Sequence, residues 1–201
     1  MKSFAYSLST ARSLTVLLML LVFSCGTQAA AILTLAGKAE DVKYEDDAKL
    51  RVSVIDWSAP EQLASIEAAY RQYQDDGDLE TFLGIVDQQD TRGYLFTAAA
   101  TGYRIKYAWK EDREDNQVMH FLVTPGLKTR NPYLWETPNN NSPAFTLVQV
   151  QFSNKTGIAK TSLDGEIVFN ELGKLQLQSF ESLPKFATLE DSTPYYLKQD
   201  H

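Results

Sequence analysis

Sulfur and imidazole are scarce in this chain. Cys25 is its single cysteine, and His120 and His201 are its two histidines. One cysteine cannot build a disulfide framework, and two distant histidines do not supply the converging ligands of a zinc site. There is no H-E-x-x-H, no G-x-S-x-G and no phosphate-cradling glycine loop, so three familiar catalytic scaffolds lack their residues. Concentrated positive charge is missing too. Nineteen Lys and Arg stand against 26 Asp and Glu, a net charge of −7. That balance argues against nucleic acid, which needs a basic face to displace counterions. It also argues against simple adhesion to anionic lipid. Beyond the N-terminus no stretch is apolar enough to span a membrane.

What is present begins with the first 29 residues. Lys2 and Arg12 precede an apolar run from Leu14 to Phe23, followed by small residues from Ser24 to Ala31. A run this short between charge and small residues reads as a secretory signal rather than a spanning helix. Thr27-Gln28-Ala29 and Ala29-Ala30-Ala31 both offer small residues at cleavage positions. The alternative is lipoprotein processing at Cys25, although Phe23 departs from the pattern of a lipobox in Val22-Phe23-Ser24-Cys25. The expectation is an exported protein, periplasmic or extracellular, with a signal peptide at 1–29. If Cys25 leaves with the signal, thiolate chemistry leaves with it. Taking Lys2 and Arg12 away leaves 17 basic residues against 26 acidic ones.

Residues 30–201 suit one β-rich domain, and about 172 residues bury roughly 70% of their unfolded surface without disulfides. Ala30 to Glu40 is compatible with a strand. Lys49 to Trp57 alternates, with Leu50, Val52 and Val54 on one face, a half-buried strand. Ser58 and Glu61 then have capping-box spacing, with Pro60 tolerated in a first turn. Leu63, Ile66, Tyr70 and Tyr73 fall at helical spacing. Gly77 ends that helix, and Asp78 can cap a second one through Leu79, Phe82, Leu83 and Val86. A helical hairpin at about 59–89 thus follows the second strand. After Gly93 the period changes to two. Strands are expected at Tyr94–Thr97, Tyr103–Trp109, Val118–Val123, Phe145–Phe152, Ile158–Leu163, Glu166–Asn170, Lys174–Phe180 and Lys185–Leu189. Even spacing without intervening helices implies an antiparallel meander. The fold expected is therefore α+β, mainly β: about eight antiparallel strands in a barrel or strongly curved sheet, with the hairpin covering one side or end.

Trp57-Ser58 before a helical pair, Gly93-Tyr94, the run Gly102-Tyr103-Arg104-Ile105-Lys106-Tyr107-Ala108, and Phe145-Thr146-Leu147 resemble a family of small exported bacterial proteins of unknown function. The similarity in spacing runs from Ala30 to about Leu189. The resemblance implies export and an α+β architecture. It brings no catalytic residues, because none are established for that family.

Candidate residues have to be weighed individually. His120 is the only histidine inside the domain, flanked on its strand face by Val118 and Leu122. The bland reading is a hydrogen-bonded structural residue; the functional one is ligand contact or acid–base work. Tyr94, Tyr103, Tyr107, Trp109 and Phe121 read as core and cross-strand pairs, with Tyr107 kept as a candidate ligand contact. Arg104 and Lys106 between them read as solvent-facing, although an arginine turned into a lumen would need an anionic partner. The segment 125–144 holds Pro125, Pro132, Pro138 and Pro143, which exclude a helix or sheet interior. Within this long loop Tyr133-Leu134-Trp135 forms an apolar island. It either pins the loop to the sheet or presents Tyr133 and Trp135 to a ligand. Asp75 to Glu80 lacks the alternating ligands of a calcium loop. Paired carboxylates remain open, with no particular pair nominated. No cofactor or metal is implied. The expectation is a non-catalytic module for an unknown small molecule or envelope protein. The alternatives are an enzyme using carboxylates, tyrosine and His120, and a structural envelope protein.

Overall fold

A computed structural model describes residues 31–40, 48–97, 102–127, 143–163 and 165–193. The expected signal segment, residues 41–47 and most of the expected long loop, including Tyr133 and Trp135, lie outside the described residues. Eight strands close an antiparallel barrel in the order β1-β10-β7-β6-β5-β4-β3-β2. They are β1 (Leu33–Ala39), β2 (Lys49–Val54), β3 (Gly93–Thr97), β4 (Gly102–Asp112), β5 (Asn116–Thr124), β6 (Thr146–Ser153), β7 (Ile158–Ser162) and β10 (Ala187–Asp191). Between β2 and β3 the chain makes two helices, α1 (Pro60–Asp76) and α2 (Leu79–Gln88). The mainly β, barrel-plus-helical-hairpin architecture is the one the periodicities imply.

Two short strands stand apart. β8 (Ile167–Phe169) and β9 (Leu175–Leu177) pair only with each other, and a 3₁₀ turn at Phe180–Ser182 follows them. The sequence places 166–170 and 174–180 within the meander. In the structure they form an arm laid over the outside of the barrel. Side chains explain the difference. The Leu175 amide donates to the Tyr107 hydroxyl at 3.2 Å and the Leu177 amide to Gln149 Oε1 at 2.9 Å. These two bonds occupy the edge of β9 that would otherwise pair with a strand.

Alternation sorts the barrel into two faces. Leu35, Val52, Leu95, Ile105, Phe121, Val148 and Leu189 point inward with their neighbours and make one apolar cluster. Leu63, Ile66, Tyr70, Phe82 and Val86 of the helices meet Tyr107, Leu122 and Leu147 of the outer wall, together with Leu175 and Leu177 of the arm. The wall formed by β4, β5 and β6 is therefore buried on both sides.

Three local expectations are corrected. Tyr103, Ile105, Tyr107 and Trp109 do not share a face, because the β4–β5 register shifts between Ile105 and Tyr107. The bulge absorbs Lys106, so Ala108 continues the inward row while Tyr107 turns out under α1. Lys106 does not face water: it is 4% exposed, and its ammonium donates to the Asp87 and Gln89 carbonyls at 3.1 and 2.6 Å. Those acceptors lie at the end of α2, where a cation is favoured by the unpaired carbonyls. Ser58 forms no capping box; the cap position is Ala59, and Ser58 Oγ accepts from the Ala108 amide at 3.0 Å. Asp78 does cap α2, its Oδ1 accepting from the Thr81 amide at 3.0 Å. Among the described residues no helix is long and apolar enough to cross a membrane.

Candidate functional site

The outer wall carries polar side chains where β5 and β6 run out from under the helices. In register, Trp109 of β4, His120 of β5 and Gln149 of β6 form one row, and Glu111, Val118 and Gln151 the next. Opposite stands the arm, which contributes Gln176 and the 3₁₀ turn. Between wall and arm lies a cleft of about 310 Å³. Its polar lining includes Gln149, Gln151, Gln176, Arg113, Ser179 and Glu181. Val118, Leu177 and Phe180, each at least nine-tenths buried, supply its apolar part.

The turn that closes this cleft is held firmly. Ser179 has φ 52° and ψ 38°, a left-handed conformation that costs a residue with a side chain about 1–2 kcal/mol. The Ser182 amide and hydroxyl both donate to the Ser179 carbonyl at 2.9 Å. Lys160 of β7 reaches across to the carbonyls of Phe180 and Glu181 at 3.1 and 2.9 Å. Its ammonium also lies 4.9 Å from the Phe180 ring centre. Gln149 gives its side-chain oxygen to Leu177, which leaves its NH₂ as the donor it can offer a ligand.

His120 lies just behind this lining and is 1% exposed. Its ring centre is 4.8 Å from the Trp109 ring, and among the described residues neither nitrogen has a hydrogen-bond partner. Burial, and then the nearby Arg113 charge, push its pKa down to about 3, so it is neutral at ordinary pH. A general base needs a proton donor or an orienting acceptor within reach, and among the described residues His120 has neither.

Tyr107 is fully buried beneath α1. Its hydroxyl donates to Glu67 Oε1 at 3.1 Å while accepting from Leu175, and Lys174 completes the group at 3.0 Å from Glu67. Burial first, then Glu67, hold this phenol far above its usual range, so it stays protonated. These contacts fasten the arm to α1 and β4. Arg104 is elsewhere, on the outer face of β4, paired to Asp87 at 3.1 Å and about half exposed. His120 and Tyr107 therefore share the outer wall, Arg104 stands apart from the cleft, and Tyr133 and Trp135 lie outside the described residues.

The residues that sequence reasoning misses are the glutamines. Gln149 and Gln151 alternate with inward Val148 and Val150, which reads as ordinary strand patterning. Gln176 meets them only because the arm folds back. Nothing in their local sequence separates them from any outward polar residue of a strand. Among the described residues no three His, Cys, Asp or Glu converge as a metal site. No family model, curated protein or solved structure matches this chain.

Proposed function

We propose that the chain is an exported, non-catalytic binding module whose site is the cleft between the β5–β6 wall and the β8–β9 arm. The observation that carries this reading is the composition of that cleft. Three carboxamides line it on a floor of buried apolar side chains, around a turn kept in a strained conformation. Carboxamides both donate and accept, so they orient a polar ligand without reacting with it. Strain of this kind persists only where surrounding contacts over-determine it, and such places tend to be functional. His120, neutral behind the wall and without a hydrogen-bond partner among the described residues, lends no support to acid–base catalysis. Exposed large apolar residues among those described are Ile158 and Leu172, too few for an adhesive patch.

Export rests on the signal-like segment and the family resemblance, with a lipid anchor at Cys25 as the alternative. Native mass spectrometry of the chain recovered from its own exported fraction tests both parts. A mass added non-covalently, lost on denaturation and diminished in the Gln149→Ala variant, is the expected result. A bare chain starting near Ala30 would count against a retained ligand, and an acyl mass that survives denaturation would mark Cys25.

A further inference from the structure

Resting on that reading, we infer that the ligand is a neutral oligosaccharide lying along two adjoining clefts. The first cleft is bordered by Gln151 and Glu181. Both residues also line a second groove of about 700 Å³ that continues over the outside of β6, β7 and β10. Its lining includes Asn116, Ser153, Thr156 and Ile158. One ligand that touches both clefts must be longer than a single compact ring.

Charge selects against an ionic ligand. The cations along the two clefts are Arg113, Lys155, Lys160 and Lys185. Arg113 pairs with Glu111 at 3.0 Å, Lys155 with Asp115 at 2.6 Å and Lys185 with Glu40 at 2.6 Å. Lys160 is engaged by the two turn carbonyls. Asp115 and Glu181 line the clefts, and Glu111 and Glu40 pair with Arg113 and Lys185 from beside them. An ionic ligand would have to compete with the partners these cations already hold.

The shape selects against a peptide recognised by strand addition. The barrel is closed, and the arm edge beside the cleft has its Leu175 and Leu177 amides taken by Tyr107 and Gln149. A peptide would lack the backbone template on which that mode depends. Hydroxyl groups suit the site better. Each both donates and accepts, as do the carboxamides of Gln151 and Gln176 and the hydroxyls of Ser153 and Ser179, while Gln149 adds its NH₂ as a donor. Ile158, 44% exposed in the second groove, offers an apolar contact to the C–H face of a sugar ring.

The test is calorimetric titration of the mature chain with unbranched two-, four- and six-sugar probes of cellulose, chitin, starch and mannan type. Tetra-alanine amide serves as the peptide comparator. At least one sugar series should bind with affinity that rises with length. Gln151→Ala and Gln176→Ala, both on partly exposed side chains, should each weaken it by roughly tenfold. Arg51→Ala on the opposite wall should leave it unchanged. Binding that ignores length, or that survives both glutamine changes, overturns the inference. So does the absence of binding by every sugar series. If the peptide then binds and the glutamine variants weaken it, the cleft still serves as a binding site and only the ligand class fails. If nothing titrates and the chain from the exported fraction is bare, the binding reading fails with it.

Discussion

His120 and Tyr107 are both buried on the same wall, and their surroundings drive them to opposite roles. Tyr107 is satisfied twice, by Glu67 and Leu175, whereas among the described residues both nitrogens of His120 lack a partner. Removing the Tyr107 hydroxyl strands the buried Leu175 amide, so Tyr107→Phe should destabilise the protein by about 1–3 kcal/mol in denaturant unfolding. For His120 the folded-state pKa of about 3 lies below the unfolded value of about 6.5. The unfolded chain therefore takes up the proton first as pH falls. The stability associated with neutral His120 is intact above pH ~6.5 and is lost between there and about pH 3. The slope in that window approaches about 1.4 kcal/mol per pH unit. His120→Leu removes both the titration and the orphaned nitrogens. Its advantage over the wild type should grow steadily from pH 6.5 downward in paired unfolding curves, and parallel curves would refute the assignment.

The arm is the element whose attachment depends on single side chains rather than on a strand ladder. Lys174 bonds Glu67, which is 7% exposed at its side chain, and Arg71 lies 4.1 Å from the Phe169 ring centre. Lys174→Met leaves Glu67 as a buried charge without its cation, which is costly, whereas the barrel ladders are untouched. Amide exchange at Leu175 and Leu177 should accelerate at least tenfold while Val148 and Val150 keep their protection. Equal acceleration in both places would mean that the arm and barrel open together. How legible the elements are follows from the same physics. Alternation of Leu50, Val52 and Val54 identifies β2 because only one of its faces is apolar. On β4 both faces are buried, so Tyr107 and Trp109 look no different from inward residues and the bulge at Lys106 leaves no trace in the pattern. The helix ends are readable at Gly77 and Asp78, where the backbone demands particular residues. Ser58 meets the same spacing rule but is claimed by Ala108, a partner fifty positions away that no local rule contains. The cleft glutamines are invisible for the same reason, since Gln151 and Gln176 become neighbours only when the arm turns back.

At the scale of the whole molecule, closure removes the exposed sheet edges that would otherwise invite pairing with other chains. Closing eight strands requires strong coiling, and among the described residues two paired-strand positions bring the backbones too close for a side chain. A Cβ at Gly37 of β1 would lie 2.0 Å from the Thr188 carbonyl oxygen of β10, and one at Gly93 of β3 would lie 2.2 Å from the Ser53 oxygen of β2. Neither glycine has a positive φ, so the demand is for space rather than for backbone freedom. Gly77 is the opposite case. Its φ is 74° and nothing lies within 4 Å of where its Cβ would be, so alanine there adds only local strain of about 1–2 kcal/mol. The intruded atoms at Gly37 and Gly93 belong to backbone and cannot rotate away. Gly37→Ala must therefore push β1 from β10, and Gly93→Ala must push β3 from β2, opening the ring at a seam. The expected outcome is a protein that loses more stability than Gly77→Ala and self-associates through its freed edges. Size-exclusion chromatography beside thermal unfolding checks this. Larger species should appear for the two seam variants, whereas Gly77→Ala should elute as the wild type does. Monomeric seam variants of near wild-type stability would show that the barrel can shift to admit a methyl group, and that its closure depends on neither glycine.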